Sequence, residues 1–500
     1  MTITCQQAGA QSPPVTERLR GGSVMGLRYR NLLLPASGAK TIRSRTPRTG
    51  TFVRAGASHA SLKPRQLALA GCLPPGQNAP DGQIRTPKCL KERLPTMNSL
   101  VSASQNPAAR IGFLSLDDSA RPNLLSGGFY GMREGFKQIG CEVVDIFPVR
   151  PRTRLRWILK KILHRLGGRY YHWDREPEFL REVSAIAGAW ITEVNPDLVI
   201  AVQSQACTHL EANVPILLTH DQTFIELQDY FPFEPRPRTR EYVRQAIDQE
   251  GLAFAAADLI AYPSRTSCET VKSAYGIASE KLLMVPWGGN LSRAPTRAEV
   301  DAMIEARRKG PTMLTAIGVN WERKGGDLVV EAYRALRKQG LDVALTIIGM
   351  TPPFAVDDRT RLIPFLDKTD PGQAPVFEEV MAATHFLVAP SRVEAFGHIF
   401  GEAAAFGIPA IASDVGGIPT SVEDRVNGRL LSLDATGDNY AEAILECLSS
   451  TETYEAMAHR SRQRFEEDLN WSAFCRTIVD ECLALKKREL ACPTPSRSQR

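Results

Sequence analysis

Residues 391–417, SRVEAFGHIFGEAAAFGIPAIASDVGG, place two carboxylates, Glu394 and Glu402, around the start of a short helix flanked by glycines. The free N–H groups and positive dipole end of such a helix suit a phosphate. Carboxylates there would repel it unless they served another partner. Hydroxyls of a sugar or ribose are such partners, because an ionised Glu accepts hydrogen bonds that a hydroxyl donates. Phosphate and polyol together describe a nucleotide sugar. The flanks agree. THFLVAP (384–390) is an apolar run suited to a buried parallel strand, and Gly407 with Pro409 ends the helix before a second apolar strand, IPAIAS. The loop therefore lies at the C-terminal end of a strand, where open α/β sheets bind ligands.

The Glu-x7-Glu spacing, with Gly397, the Glu402-Ala403 pair, Gly407-x-Pro409, Asp414 and Gly416-Gly417, resembles the donor-site signature of glycosyltransferase family 4. These are retaining enzymes with two Rossmann-like domains facing a cleft, the GT-B fold. The resemblance spans roughly residues 109–485 and is strongest over 311–433.

Outward from this motif, β-α-β patterning recurs twice. ARIGFLSL (109–116), a turn with Gly127-Gly128, a helical stretch (129–140) and CEVVDIFP (141–148) open the first half. NPDLVIAVQS, VPILLTHDQTF, ADLIAYPS and KLLMVPWGGN continue it. PTMLTAIGV (311–319), a basic glycine turn, a helix and VALTIIG (343–349) open the second. The expected organisation is a basic extension over 1–108, disordered or a product of a misplaced start with Met97 as the true one. An N-terminal acceptor domain follows over 109–292, then a donor domain over 293–470. A helix over 471–490 returns to the first domain, and 491–500 form a tail.

Composition narrows the function. The chain's net charge is +6, yet residues 1–96 hold 15 Lys+Arg against 3 Asp+Glu, which leaves the remainder at −6. A mildly acidic body does not suit a nucleic-acid partner. Ten cysteines lack CxxC or zinc-like spacing, arguing against a metal site or a disulfide framework and for a cytoplasmic setting. No apolar run reaches the ~18–20 residues of a membrane span. One stretch, VRPRTRLRWILKKILHRLGGR (149–169), has eight Lys or Arg, no acid, and leucines and isoleucines at helical spacing. It reads as an ordinary surface helix whose apolar stripe packs on the sheet, with contact to an anionic membrane surface as the alternative.

Lys324 and Arg323 stand at the turn before a helix, where fixed cations can neutralise a departing diphosphate. Lys324-Gly325 matches the family's Lys-Gly element. The family's basic residue five positions earlier is Val319 here, which Arg323 would have to replace. The resemblance implies that Glu402 holds the ribose and Glu394 the donor sugar, and that the backbone of Phe396, Gly397 and His398 reaches the phosphates. Gly127 and Gly128 read by themselves as a tight turn or a close ligand approach; the resemblance implies that they face the donor phosphates and the acceptor. It likewise points to His220, at a strand end, as a contact near the reacting carbon, with Asp221 as runner-up. No Asp-x-Asp motif occurs, and Lys324 with helix dipoles can carry the leaving-group charge, so neither a metal nor another cofactor is expected. The expectation is a retaining glycosyltransferase using a nucleoside diphosphate sugar and a carbohydrate or lipid-linked acceptor. A silent nucleotide-sugar binder and a nucleotide-sugar epimerase are the alternatives.

Overall fold

The computed structural model describes residues 109–118, 121, 127–146 and 151–491; the basic extension with Met97 and the tail from 492 lie outside them. Two six-stranded sheets carry the structure, and every strand pair in both is parallel. The first contains β1 (Arg110–Leu114), β2 (Glu142–Ile146), β3 (Leu198–Ala201), β4 (Ile216–Thr219), β5 (Leu259–Tyr262) and β6 (Leu282–Met284) in the order β2-β1-β3-β4-β5-β6. Its helices are α1 (Gly128–Gln138), α2 (Leu155–Leu166), α3 (Pro177–Val194), α4 (Ser204–Cys207), α5 (Phe224–Leu227), α6 (Arg240–Ala256) and α7 (Arg265–Tyr275). After a linker, α8 (Arg297–Arg307) leads into β7 (Thr312–Ile317), α9 (Gly326–Lys338), β8 (Val343–Ile348), β9 (Thr360–Ile363) and α10 (Ala374–Ala383). Then come β10 (Phe386–Ala389), α11 (His398–Ala405), β11 (Ala410–Ser413), α12 (Ile418–Ser421) and β12 (Gly428–Leu431). The second sheet runs β12-β11-β10-β7-β8-β9. Helices α13 (Gly437–Cys447), α14 (Thr451–Glu467) and α15 (Trp471–Ala491) close the chain.

The strands are short and apolar for a physical reason. LVIA of β3, LIAY of β5 and AIAS of β11 are buried at every position, as strands covered by helices on both faces must be. Strand order reverses at β7, whose neighbours β8 and β10 lie on opposite sides. The loops leaving β7 and β10 therefore open a crevice at their C-terminal ends, the switch point where doubly wound sheets hold ligands. Those loops carry Lys324 and Glu394.

Helix α15 packs on α1 of the first domain. Gly131 and Gly135, one turn apart on α1, make room for Trp471: a Cβ at Gly135 would stand 2.8 Å from the Trp471 Cβ. The Cys475 thiol donates to the Met132 carbonyl at 3.4 Å. Trp471, Phe474 and Ile478 thus complete the first domain's core although they follow the second domain in sequence.

One sequence reading is corrected here. Helix α2 forms, but its apolar stripe does not pack on the sheet: only Trp157 of the helix is buried. Leu155, Leu163 and Leu166 are 70%, 69% and 80% exposed, and Ile158, Leu159 and Ile162 are exposed as well. Helical periodicity identifies an apolar face without stating what it meets.

Glycines test the local geometry. Gly325 and Gly340 both have positive φ, 65° and 86°, but only Gly325 faces other atoms, since a Cβ there would collide with the Pro390 carbonyl. Gly340→Ala is expected to cost about 1 kcal/mol from backbone conformation alone. Gly325→Ala should cost clearly more, and denaturant titration of the two variants measures the difference.

Candidate active site

The turn between β7 and α9 is built on Asn320, whose Oδ1 accepts the Arg323 N–H at 2.8 Å while its carbonyl accepts the Lys324 N–H at 3.0 Å. This turn aims both basic side chains across the crevice at the loop leaving β10. The Lys324 ammonium pairs with Glu394 Oε2, and both side chains are nearly buried, 13% and 10% exposed. The Arg323 guanidinium donates to the Val393 carbonyl at 3.0 Å and lies 4.0 Å from the same carboxylate oxygen. Val319 is 52% exposed. Burial alone would push the Glu394 carboxyl up, but Lys324 and Arg323 outweigh it and hold Glu394 below the usual carboxylate range.

Glycines let the backbone approach this carboxylate. A Cβ on Gly416 would collide with the Glu394 carbonyl and one on Gly417 with that of Ala395. Gly397 adopts φ 82° at the start of α11, where a Cβ would meet the Phe400 ring at 2.7 Å. Phe396 is buried in the first domain's core, which leaves only its backbone available to a ligand. On α11, Glu402 is 2% exposed; its Oε1 accepts the Asn290 N–H at 3.2 Å and pairs with the Lys368 ammonium.

The first domain faces these groups from the other side. His220, just past β4, stands with Nδ1 2.6 Å from Asp221 Oδ1 and 3.2 Å from the Gln222 carbonyl. Burial alone would lower the imidazole; the neighbouring Asp221 prevails and holds it above its ordinary value. Asp221 in turn is held low against its own burial by His220 and His398. Its charge also opposes Lys324 and Arg323 by raising the Glu394 carboxyl. Gly127, with φ 84°, starts α1, and a Cβ on Gly128 would stand 2.9 Å from His398 Nε2.

His398 is no surface feature. Its Nδ1 donates to the Gly288 carbonyl at 2.9 Å, its ring stacks on Trp287 (5.6 Å, 20°), and Trp471 tilts against it at 5.8 Å. Burial pushes its pKa below the ordinary value. Sequence reasoning missed Tyr230, whose ring lies 5.1 Å from the Arg323 guanidinium, together with Lys368 and the N–H of Asn290. Asn290 ends the PWGGN turn and so could have been suspected; Tyr230, in a short 3₁₀ helix (Gln228–Phe233), and Lys368, in the loop between β9 and α10, carry no periodic or motif signal. Among the described residues, no three His, Cys, Asp or Glu side chains are grouped to hold a metal.

Residues 311–450, the segment bearing Lys324, Glu394 and Glu402, match the family model described as glycosyl transferases group 1. The matched segment lies within the second domain and takes in all six strands of its sheet. The chain is 29% identical over 279 residues to a D-inositol 3-phosphate glycosyltransferase of Jonesia denitrificans, covering 51% of this chain and 64% of that protein. It is 33% identical over 128 residues to an alpha-maltose-1-phosphate synthase of Mycobacterium tuberculosis, covering 25% of this chain and 32% of the other. The match thus spans less than two thirds of either relative's length. Sucrose-phosphate synthase of Thermosynechococcus elongatus superposes with a TM-score of 0.53 over 76% of this chain and 99% of its own, at 18% identity. The fold is GT-B, two Rossmann-like domains with a cleft between them.

Lys324→Met would leave a buried carboxylate with Arg323 at 4.0 Å as its nearer remaining cation. The expected cost at pH 7 is about 3 kcal/mol. Because the Glu394 pKa is lowered on folding, the pair's contribution is complete above the ordinary Glu value of 4.5 and is lost as pH falls through the folded value. The stability gap between variant and parent should therefore narrow below pH 4.5, as read by urea melts at pH 7 and pH 4.

Proposed function

We propose that this protein is a metal-independent, retaining glycosyltransferase that moves a sugar from a nucleoside diphosphate donor to a hydroxyl of a carbohydrate or lipid-linked acceptor. The observation that supports this most directly is the Lys324–Glu394 pair at the β7/β10 switch point, facing the His220–Asp221 dyad across one cleft. A diphosphate would draw the Lys324 ammonium and the N–H groups at the start of α11, with Arg323 supplying the second positive charge in place of Val319. Glu394, released from Lys324, would then accept hydrogen bonds from the sugar hydroxyls, and Glu402 from the ribose.

As the bond from the anomeric carbon to the phosphate oxygen breaks, negative charge gathers on the diphosphate beside Lys324 and Arg323. The acceptor hydroxyl attacks from the same face and passes its proton to the departing phosphate oxygen, which closes the proton balance without a protein base. His220, held above its ordinary pKa by Asp221, suits a hydrogen-bond donor to a sugar oxygen better than a general base. The curated relatives are named as a transferase and a synthase, which favours group transfer over epimerisation or silent binding.

The partner at the membrane is part of the same reading. Among the described residues no helix is long and apolar enough to cross a bilayer. Helix α2 instead presents five Leu and Ile side chains, each at least 48% or in one case 39% exposed beyond Leu155, on a basic helix suited to lying on an anionic cytoplasmic leaflet. Such contact would bring a lipid-linked acceptor to the cleft.

UDP- or GDP-linked sugars are expected to raise the melting temperature, and Lys324→Ala or Glu402→Ala to abolish most of that rise. Proton NMR of the product should show the donor's anomeric configuration, with turnover unchanged by EDTA; an inverted product would refute the mechanism. In liposome sedimentation, anionic vesicles should retain the protein, and Leu159→Glu with Leu163→Glu should weaken this at least tenfold, since burying each Leu is worth about 1.5–3 kcal/mol.

A further inference from the structure

Glu402 is almost fully buried, yet both donors it meets go to one of its oxygens. Oε1 accepts the Asn290 N–H at 3.2 Å and pairs with the Lys368 ammonium; among the described hydrogen bonds none reaches Oε2. Neither donor belongs to the helix that carries Glu402. Asn290 comes from the linker between the domains, which lies so close to α11 that a Cβ on Gly289 would stand 2.7 Å from the Glu402 nitrogen. Its side chain is fixed in turn, Oδ1 accepting the Trp471 Nε1–H at 2.9 Å. Lys368 comes from the loop between β9 and α10 and is braced by the Phe377 ring, 5.2 Å from its ammonium. A carboxylate held at one oxygen by a cation and a backbone N–H has lost its freedom to rotate and has a single oxygen left to offer.

Resting on the donor-site reading above, we infer that Lys368 is a positioning residue for the nucleoside: with the Asn290 N–H it fixes Oε1 of Glu402, so that Oε2 alone is presented to the ribose hydroxyls. Lys368 thereby sets the discrimination between ribose and deoxyribose without touching the diphosphate. The nucleoside pocket is then assembled from three separate elements, the β9–α10 loop, the linker and α11.

The test is calorimetric binding of UDP, GDP and their 2′- and 3′-deoxy analogues, with inorganic pyrophosphate as the ribose-free probe. The parent is expected to prefer the ribonucleotide at least tenfold. Lys368→Met should reduce that preference at least threefold and leave pyrophosphate binding unchanged, Lys368→Arg should restore it, and in turnover the donor KM should rise with kcat within twofold. In a Glu402→Ala background, Lys368→Met should have no further effect on the preference. A Lys368→Met protein that melts cooperatively and keeps the parental preference overturns the inference. So does a loss of pyrophosphate binding with the preference intact, which would place Lys368 on the phosphates. If the parent binds no nucleoside diphosphate, or Glu402→Ala leaves binding untouched, the donor-site reading itself fails, and the inference with it.

Discussion

Two opposite charges buried side by side, Lys324 and Glu394, are the constraint on which the site depends. Removing either from water costs several kcal/mol, so each needs a partner inside the cleft. Without a ligand they are partners for one another. A phosphate by itself would take Lys324 and leave Glu394 only Arg323 at 4.0 Å, and a sugar by itself would draw Glu394 away from Lys324. A molecule that carries both groups in the right relation satisfies both at once. On the donor-site reading proposed above, the pair would therefore favour the intact donor over either fragment.

That pair is placed by topology before it is placed by side chains. Strand order reverses at β7, which separates the β7 and β10 loops just enough to leave a crevice between them. The glycines then determine how closely the walls approach. Gly325 lies against the Pro390 carbonyl and Gly416 and Gly417 against the backbone of Glu394 and Ala395, contacts that any side chain would prevent. Opposite, the first domain contributes His220 and Asp221 from the end of β4, as the same rule about strand C-termini requires.

Much of this was legible in the chain. Apolar runs bounded by glycine and proline located the strands, and the Glu-x7-Glu spacing with its glycines located the turn from β10 into α11. Legibility failed where contact depends on one pairing between distant segments. His398 was expected to offer its backbone alone, but Trp287 from the linker and Trp471 from α15 close over its ring, and neither tryptophan announces that role through periodicity. Tyr230 over Arg323 and Lys368 beside Glu402 are of the same kind: single contacts made by a short 3₁₀ turn and by a loop, which leave no repeat to read. Helix α2 failed differently, since its spacing showed an apolar face correctly and the covering of that face was the part inferred.

The aromatic cluster around His398 explains how the two domains hold a common geometry. Trp471 touches Gly135 and the His398 ring, and its indole N–H reaches Asn290, whose backbone N–H reaches Glu402. The first domain, the linker, the last helix and the Glu402 carboxylate are therefore joined by consecutive contacts of a few ångströms. Any displacement of the linker would therefore act on Glu402 through the Asn290 N–H. On the donor-site reading proposed above, the contacts that join the domains are the same contacts that hold the nucleoside carboxylate in place.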